Sequence, residues 1–291
     1  MNAERIMNEI ERYEFDRVGY ITIPGILTEE QVGSLAESID ALEEEAAARA
    51  AAAPRRKSPT GLLEYHHNAE KGYYVTGAKE HGNTIIVEDF FNADPAFDDL
   101  VDHAPTMSYI HAIVQERATI NNSEIRIRYP GNQTGTHMGG PIGGKHRYGY
   151  NHKGINGMMV RMVYFVHDVG PEDGPFCVVP ATHKSNMVSP YEGRNPDKEP
   201  GMIGLPVKAG DAILFTENLR HGGFTNRSGK TRKTVHIGYG PFWMKSQNIA
   251  TMDEDQYLLP DTYARYSPEQ RQLFRAWPNT LEREFGDNQR G

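Results

Sequence analysis

From about residue 85 onward, short runs of β-branched and aromatic residues alternate with turn-forming residues. Runs of this length, bounded by Gly, Pro, Asn or Asp, are typical of antiparallel strands. Only residues 98–118 interrupt the pattern, with a helical spacing of apolar residues. The predicted strands cover residues 84–87, 123–129, 158–166, 176–179, 210–215 and 234–239.

The first third of the chain has a different, helical pattern. Residues 3–13 have helical spacing, and Thr28 with Gln31 is typical of a capping box at the start of a second helix. That helix is expected to continue into the alanine-rich stretch 46–53. Residues 54–85 are predicted to form either a lid or, more simply, a mobile surface loop.

Strands with helices outside them predict a mainly β fold with flanking helices, a jelly-roll of the double-stranded β-helix (cupin-like) type. No linker or composition shift divides the chain into two comparable halves. We therefore expect a single domain over residues 1–291, with N-terminal helices over about 1–53 and a C-terminal helical tail over 243–291.

Charge and composition exclude several classes of partner. The formal net charge of −8 argues against nucleic acid, and no apolar run approaches the roughly 20 residues that cross a membrane. The single cysteine, Cys177, excludes a disulfide framework and fits a reducing compartment. Without an apolar signal core in the sequence, a cytoplasmic location is expected. The sequence says nothing about oligomeric state.

Two histidines and one arginine are the candidates for chemistry. His137 and His221, on facing strands of a jelly-roll, could place two neutral imidazoles on one metal ion, and a carboxylate would complete a facial triad. Arg232 would suit the carboxylate of a cosubstrate. Because residues 225–230 are rich in turn formers, we expect His221 and Arg232 on neighbouring strands of one hairpin.

Several separated motifs resemble one family in the same order along the chain. Residues 173–184 (DGPFCVVPATHK), the Gly210–Asp211 pair before His221, and residues 19–25 resemble blocks of the phytanoyl-CoA dioxygenase family. The likeness extends over roughly residues 14–242. Membership implies a dioxygenase that uses Fe(II), 2-oxoglutarate and O2 to hydroxylate an aliphatic C–H of a small molecule, with release of succinate and CO2.

By position, the resemblance implies His137 and His221 as iron ligands and Arg232 as the 2-oxoglutarate clamp. Arg128 is expected to contact the cosubstrate. Gly223 stands where the family often has a hydroxyl residue, so that Thr225 could supply the missing hydrogen bond. His183 is expected to be structural.

The pocket residues are less constrained. The substrate candidates follow the first histidine or lie on strands that reach the cavity: Arg126, Tyr148, Tyr150, Asn156 and Arg161. Ordinary packing with a hydrogen-bonded hydroxyl is the alternative for the tyrosines, and a solvent-facing position for Arg126. His236 could face the cavity or be a core histidine.

The departure from the family pattern is Gly139, which stands where the iron-binding carboxylate belongs. Four interpretations compete. Chloride could take the position, as in the iron and 2-oxoglutarate halogenases; water could fill it in a hydroxylase; or Glu217, His146 or His152 could complete the site. In the fourth, the protein is a non-catalytic, ligand-binding jelly-roll.

Overall fold

The computed structural model describes residues 6–52, 56–57, 64–77, 84–138, 148–187, 189–191, 195–244 and 258–274. Within these ranges, no helix is both long enough and apolar enough to cross a lipid bilayer.

Helices occur mainly near the two ends of the chain, and strands fill the region between them. The helices are α1 (Glu9–Val18), α2 (Glu29–Ala52), α3 (Ala104–Ile113), α4 (Pro260–Arg265) and α5 (Pro268–Gln272). The strands are β1 (Tyr20–Ile23), β2 (Arg56–Lys57), β3 (Glu64–Asn68), β4 (Tyr73–Gly77), β5 (Thr84–Glu88), β6 (Ala118–Arg128), β7 (Thr134–His137), β8 (Tyr148–Asn151), β9 (Gly154–Gly157), β10 (Val160–Phe165), β11 (Phe176–Val179), β12 (Ile203–Gly204), β13 (Ala212–Thr216), β14 (Arg220–Gly223) and β15 (Arg232–Pro241).

These strands form two facing antiparallel sheets and a separate β8–β9 pair. The large sheet has the order β1-β13-β10-β15-β6-β5-β4-β3-β2, and the small sheet has the order β12-β11-β14-β7. Apolar side chains of β10 and β13 pack in one cluster with those of β11, which joins the two sheets face to face. The mainly β jelly-roll predicted from the sequence is confirmed.

The alternation of side chains along β10 shows how the large sheet is used. Val160, Met162 and Tyr164 belong to the core beneath the helices, whereas Val163 and Phe165 belong to the core between the sheets. Successive side chains of a strand point to opposite faces, so the sheet is covered on both.

The same alternation places polar residues between the sheets on β6 and β15. Ile125 and Ile127 of β6 face the helices, as do Val235 and Ile237 of β15. The intervening residues therefore share the inner face. They are Glu124, Arg126 and Arg128 on β6, and Arg232, Thr234 and His236 on β15.

Helix α2 begins at a capping box and is attached to the outer face of the large sheet by ion pairs. Thr28 and Gln31 exchange the two hydrogen bonds of the predicted capping box. Farther along, Lys233 of β15 binds both Asp40 and Glu43. The predicted second helix, including its alanine-rich part, is confirmed as far as Ala52.

Two local predictions were wrong. The first helix begins at Glu9, after the capping residue Asn8, and runs to Val18 instead of covering 3–13. The described parts of 54–85 hold strands β2, β3, β4 and the start of β5, with a turn at 69–72, instead of a mobile loop, and the lid role stays a prediction. These short strands have few aliphatic residues but bury Tyr73 and Val75, and His67 stacks on Tyr74.

Candidate active site

Strands β7 and β14 place His137 and His221 directly opposite each other. Their ring centroids are 4.2 Å apart. In each ring Nδ1–H donates to the carbonyl oxygen two residues earlier, that of Gly135 at 2.8 Å and that of Leu219 at 2.7 Å. A neutral imidazole that donates through Nδ1 carries its lone pair on Nε2, which is the arrangement a metal ion needs.

Burial keeps both rings neutral. Loss of solvation lowers the pKa of His137 below its usual value, although the Gly135 carbonyl and the charge of Glu217 act in the opposite direction. Burial, together with the neighbouring His137, lowers the pKa of His221 to about 3. Both imidazoles are therefore available as ligands near pH 7.

Two buried arginines lie on the inner face of the large sheet. Arg128 of β6 and Arg232 of β15 are register partners on neighbouring strands. Nε of Arg128 and both Nε and Nη1 of Arg232 are buried without a hydrogen-bond partner. Burial and the charge of Arg126 lower the pKa of Arg232 to about 9. Unsatisfied buried donors on two cations are the features expected of an anion site.

Gly223 allows these arginines to reach the histidines. A side chain at Gly223 would begin 3.1 Å from Nη1 of Arg128 and 3.3 Å from Nη2 of Arg232. Because Gly223 follows His221 closely on β14, the guanidinium groups lie beside the histidine pair.

A buried ion network completes the floor of the pocket. Arg161 of β10 donates from Nε to Glu217 at 2.6 Å and from Nη1 to Asn122 and Glu124. Glu124 also binds Arg126. Burial alone would raise the pKa of Glu124, but Arg126 and Arg161 outweigh it and hold that pKa at about 2.

The space among these groups is small, about 40 Å³. That volume suits a metal ion with bound water. The lining residues are Arg126, Arg128, Thr134, His137, Arg161, Phe176, Phe215, Glu217, His221, Gly222 and His236.

The structure brings together most of the predicted site. His137, His221, Arg126, Arg128, Arg161 and Glu217 line one pocket, and Arg232 lies next to it. His236 also lines the pocket, with Nε2 and the Thr234 hydroxyl 2.9 Å apart. Gly139 and His146 lie outside the described residues.

Other predicted residues lie elsewhere. Tyr148 donates its hydroxyl to Asp16 and lines a separate cavity of about 490 Å³ with Tyr150, whose side chain is largely exposed. Asn156 lies on β9, opposite Gly149 of β8. His152 is exposed in the β8–β9 turn. These positions give no support to a substrate contact at the histidine pair, or to His152 as a metal ligand there.

The structure also differs from the prediction in the contacts of Thr225 and in the placement of His221 and Arg232. The Thr225 hydroxyl binds Asp197 and accepts from Gln133 instead of reaching the pocket. His221 and Arg232 do not share a hairpin, because β14 belongs to the small sheet and β15 to the large one. They meet across the space between the sheets.

The structure also adds residues that the sequence prediction missed. Glu124 could have been found, because it alternates with Arg126 and Arg128 on one predicted strand. Thr134 carried no such signal, since its approach to Gly223 depends on the pairing of β7 with β14.

The fold and this site define a class of protein. A jelly-roll with two neutral histidines facing each other, beside buried arginines with unsatisfied donors, has the donors for a divalent metal and for a dicarboxylate. His137 and His221 would hold iron, and Arg232 with Arg128 would hold 2-oxoglutarate, so the residues present fit both groups.

Comparison with known proteins identifies the family. The model of the phytanoyl-CoA dioxygenase family (PhyH) matches residues 15–234. The chain therefore belongs to this family, and its cofactors are iron and 2-oxoglutarate. No curated protein matches it by sequence.

Solved structures share the fold at low sequence identity. HygX from Streptomyces hygroscopicus, with nickel, 2-oxoglutarate and hygromycin B bound, is 18% identical with a TM-score of 0.65, over 85% of this chain and 97% of that one. The α-ketoglutarate-dependent epimerase SnoN from nogalamycin biosynthesis is 17% identical with a TM-score of 0.55, over 83% and 84%. AviO1 from Streptomyces viridochromogenes Tue57 is 16% identical with a TM-score of 0.54, over 80% and 95%.

Proposed function

We propose that this protein is an Fe(II)- and 2-oxoglutarate-dependent oxygenase that hydroxylates an aliphatic C–H of a small molecule, with release of succinate and CO2. The observation that carries the proposal is the position of the neutral His137–His221 pair beside the unsatisfied donors of Arg128 and Arg232. The bound iron would supply the oxidising chemistry. The small-molecule substrate class is consistent with HygX, which holds hygromycin B.

In this proposal, different side chains of the site hold the metal, bind the cosubstrate and exclude water. The Nδ1–H bonds to Gly135 and Leu219 fix both rings and leave Nε2 of each as the atom that would bind the metal. The guanidinium of Arg232, with Arg128 beside it, would hold the distal carboxylate of the cosubstrate through charge-assisted hydrogen bonds. Phe176 and Phe215 pack against His221 and exclude water from its apolar side.

Two alternatives remain beside hydroxylation. A halogenase would bind chloride at the position that Gly139 leaves without a carboxylate. A non-catalytic, ligand-binding jelly-roll would have no need of a metal site. The reaction outcome also varies among proteins of this fold, because SnoN is an epimerase.

The first test is anaerobic absorption spectroscopy of the purified protein with Fe(II) and 2-oxoglutarate. A chelated cosubstrate is expected to give a visible metal-to-ligand charge-transfer band, and His137→Ala and His221→Ala are expected to abolish it. Absence of the band in the wild type would contradict the proposal and favour the binding role. Formation of succinate after O2 is added then distinguishes an active enzyme from a protein that only binds Fe(II) and 2-oxoglutarate.

Arg232→Met tests the cosubstrate site. The variant loses the charge-assisted hydrogen bonds to the distal carboxylate, so its 2-oxoglutarate affinity should fall by roughly tenfold to a hundredfold. Its Co(II) affinity, measured by calorimetry, should not change. Arg227→Met is the matched control, because Arg227 is an exposed partner of Asp197 away from the pocket. Equal 2-oxoglutarate affinity in both variants would refute the role of Arg232.

A further inference from the structure

We propose that Glu217 supplies the carboxylate ligand of the metal, in place of the side chain that Gly139 lacks. This inference rests on the proposed iron- and 2-oxoglutarate-dependent function. Within the described ranges, no three histidine, cysteine or acidic side chains are already placed as they would be around a bound ion. Glu217 comes close to that arrangement: its Oε2 lies 4.0 Å from Nε2 of His221.

The distance leaves a small movement to be made. Ligand atoms about 2.1 Å from a metal and at right angles to each other lie about 3 Å apart. Glu217 would therefore need to approach His221 by about 1 Å, which a change in its side-chain torsions can supply. Glu217 lines the same pocket as His137 and His221, so the carboxylate lies near both rings.

The backbone places Glu217 and orients His221 in one unit. Residues 217–219 connect β13 to β14, and the amide of Glu217 donates to the Met159 carbonyl at 3.1 Å. The Leu219 carbonyl in the same connection accepts from Nδ1 of His221. A single buried turn thus fixes both side chains relative to each other.

Arg161 sets the orientation of the carboxylate. It donates to Oε1 of Glu217, and Oε2 is the oxygen directed at His221. Metal-binding carboxylates are commonly held by a second hydrogen bond of this kind. Asn122 and Glu124 in turn hold Arg161, so the support is rigid.

A purely structural role competes with this assignment. Glu217 could serve only as the counter-ion of Arg161, as Glu124 does. The two roles differ in what they imply for the metal. A ligand changes the coordination of the bound ion, whereas a counter-ion changes only its support. If Glu217 is the ligand, the position open to chloride in a halogenase is filled, which favours oxygenation.

The deciding experiment compares Glu217→Gln with Glu124→Gln, because both remove a buried acidic partner of Arg161. Co(II) binding is measured anaerobically by calorimetry and by the visible ligand-field spectrum. We expect Glu217→Gln to lower Co(II) affinity by at least tenfold and to change the spectrum, and Glu124→Gln, which weakens only the support of Arg161, to change affinity and spectrum much less. In Glu217→Ala, added formate should restore the wild-type spectrum.

Unchanged affinity and spectrum in Glu217→Gln, or equal spectral changes in both variants, would overturn the assignment. If a variant does not fold, the wild type alone still tests the assignment. Chloride should not shift the charge-transfer band that Fe(II) and 2-oxoglutarate give in the wild type. A shift would show that a coordination position is open to halide. If the wild type binds no Co(II), the proposed function is contradicted as well. If the wild type binds Co(II) and Glu217→Gln binds it with the same affinity and spectrum, only the assignment of Glu217 as a ligand is contradicted.

Discussion

At the scale of single residues, the site is defined by buried arginine N–H groups that have no hydrogen-bond partner within the protein. Arg232 is buried with two unpartnered nitrogen atoms, beside Arg128 with one. An unsatisfied buried donor costs about 1–3 kcal/mol, and more for a charged group. This cost is offset when a dicarboxylate binds, so the arginine pair is a feature of ligand binding more than of stability.

Thr134 gives a residue-scale prediction. Its Cβ lies 3.4 Å from the point where a side chain at Gly223 would begin, and it lines the pocket. It can therefore supply the hydroxyl that the family often has at the Gly223 position. Thr134→Val should weaken 2-oxoglutarate binding about tenfold or somewhat less, as expected for one net hydrogen bond.

The matched control for Thr134 is Thr225→Val, because the Thr225 hydroxyl already binds Asp197. Its 2-oxoglutarate affinity, titrated anaerobically with Fe(II), should equal that of the wild type. If 2-oxoglutarate affinity fell in Thr225→Val but not in Thr134→Val, the hydrogen bond to the cosubstrate would come from Thr225, as the sequence predicted.

At the scale of elements, the histidine pair depends on how closely β7 and β14 approach each other. A side chain at Gly222 would begin 2.8 Å from the backbone carbonyl oxygen of Thr134. Backbone atoms cannot yield as a flexible side chain can. The absence of a side chain at Gly222 is therefore a condition for the register that places His221 opposite His137.

Gly222→Ala should separate the two strands and move His221 away from His137. We expect Co(II) affinity to fall at least tenfold and stability to fall by about 1–3 kcal/mol, as for other overpacked sites. Gly229→Ala is the control, because Gly229 is exposed and no atom lies within 4 Å of an added Cβ. Wild-type metal affinity in Gly222→Ala would show that the pair tolerates a wider strand spacing.

At the scale of the whole molecule, buried neutral histidines link stability to pH. His183 is one of them: its Nε2–H donates to the Asp16 carbonyl at the end of α1, across a large separation in sequence. Burial lowers its pKa to about 4, with Lys184 acting in the same direction and Asp16 opposing. Protonation would place a charge on a buried ring whose Nδ1 has no hydrogen-bond partner, so the folded state favours neutral His183.

The sign of the pH effect follows from the unfolded state, where an ordinary histidine takes up a proton first. The His183 contribution is fully present above about pH 6.5 and is lost as the pH falls towards 4, a loss on the order of 3 kcal/mol. His183→Gln should flatten this part of the profile of unfolding free energy against pH, measured in urea. His152→Gln, at an exposed position, should retain the wild-type slope; equal slopes in all three proteins would contradict the assignment.

Much of the fold could be predicted from the sequence because strands and helices have different local periods. Alternation along 123–129 and 234–239 predicted β6 and β15, whereas the shared pocket face of Arg126, Arg128 and His236 came from the structure. The prediction of His137, His221 and Arg232 relied on residue chemistry together with the family motifs. Polar and aromatic strands such as β3 escaped notice because their alternation involves few aliphatic residues.

The sequence by itself determined the aliphatic strands, the mainly β class and the residue types able to bind iron and a dicarboxylate. Only the tertiary structure decided which of them meet. The register of β7 on β14 places the two histidines face to face, and the packing of two sheets brings Arg232 to them from the opposite side. The turn before His221 brings Glu217 within 4.0 Å of it. Local sequence governs backbone preference over a few residues, whereas these contacts depend on pairing and packing between distant segments.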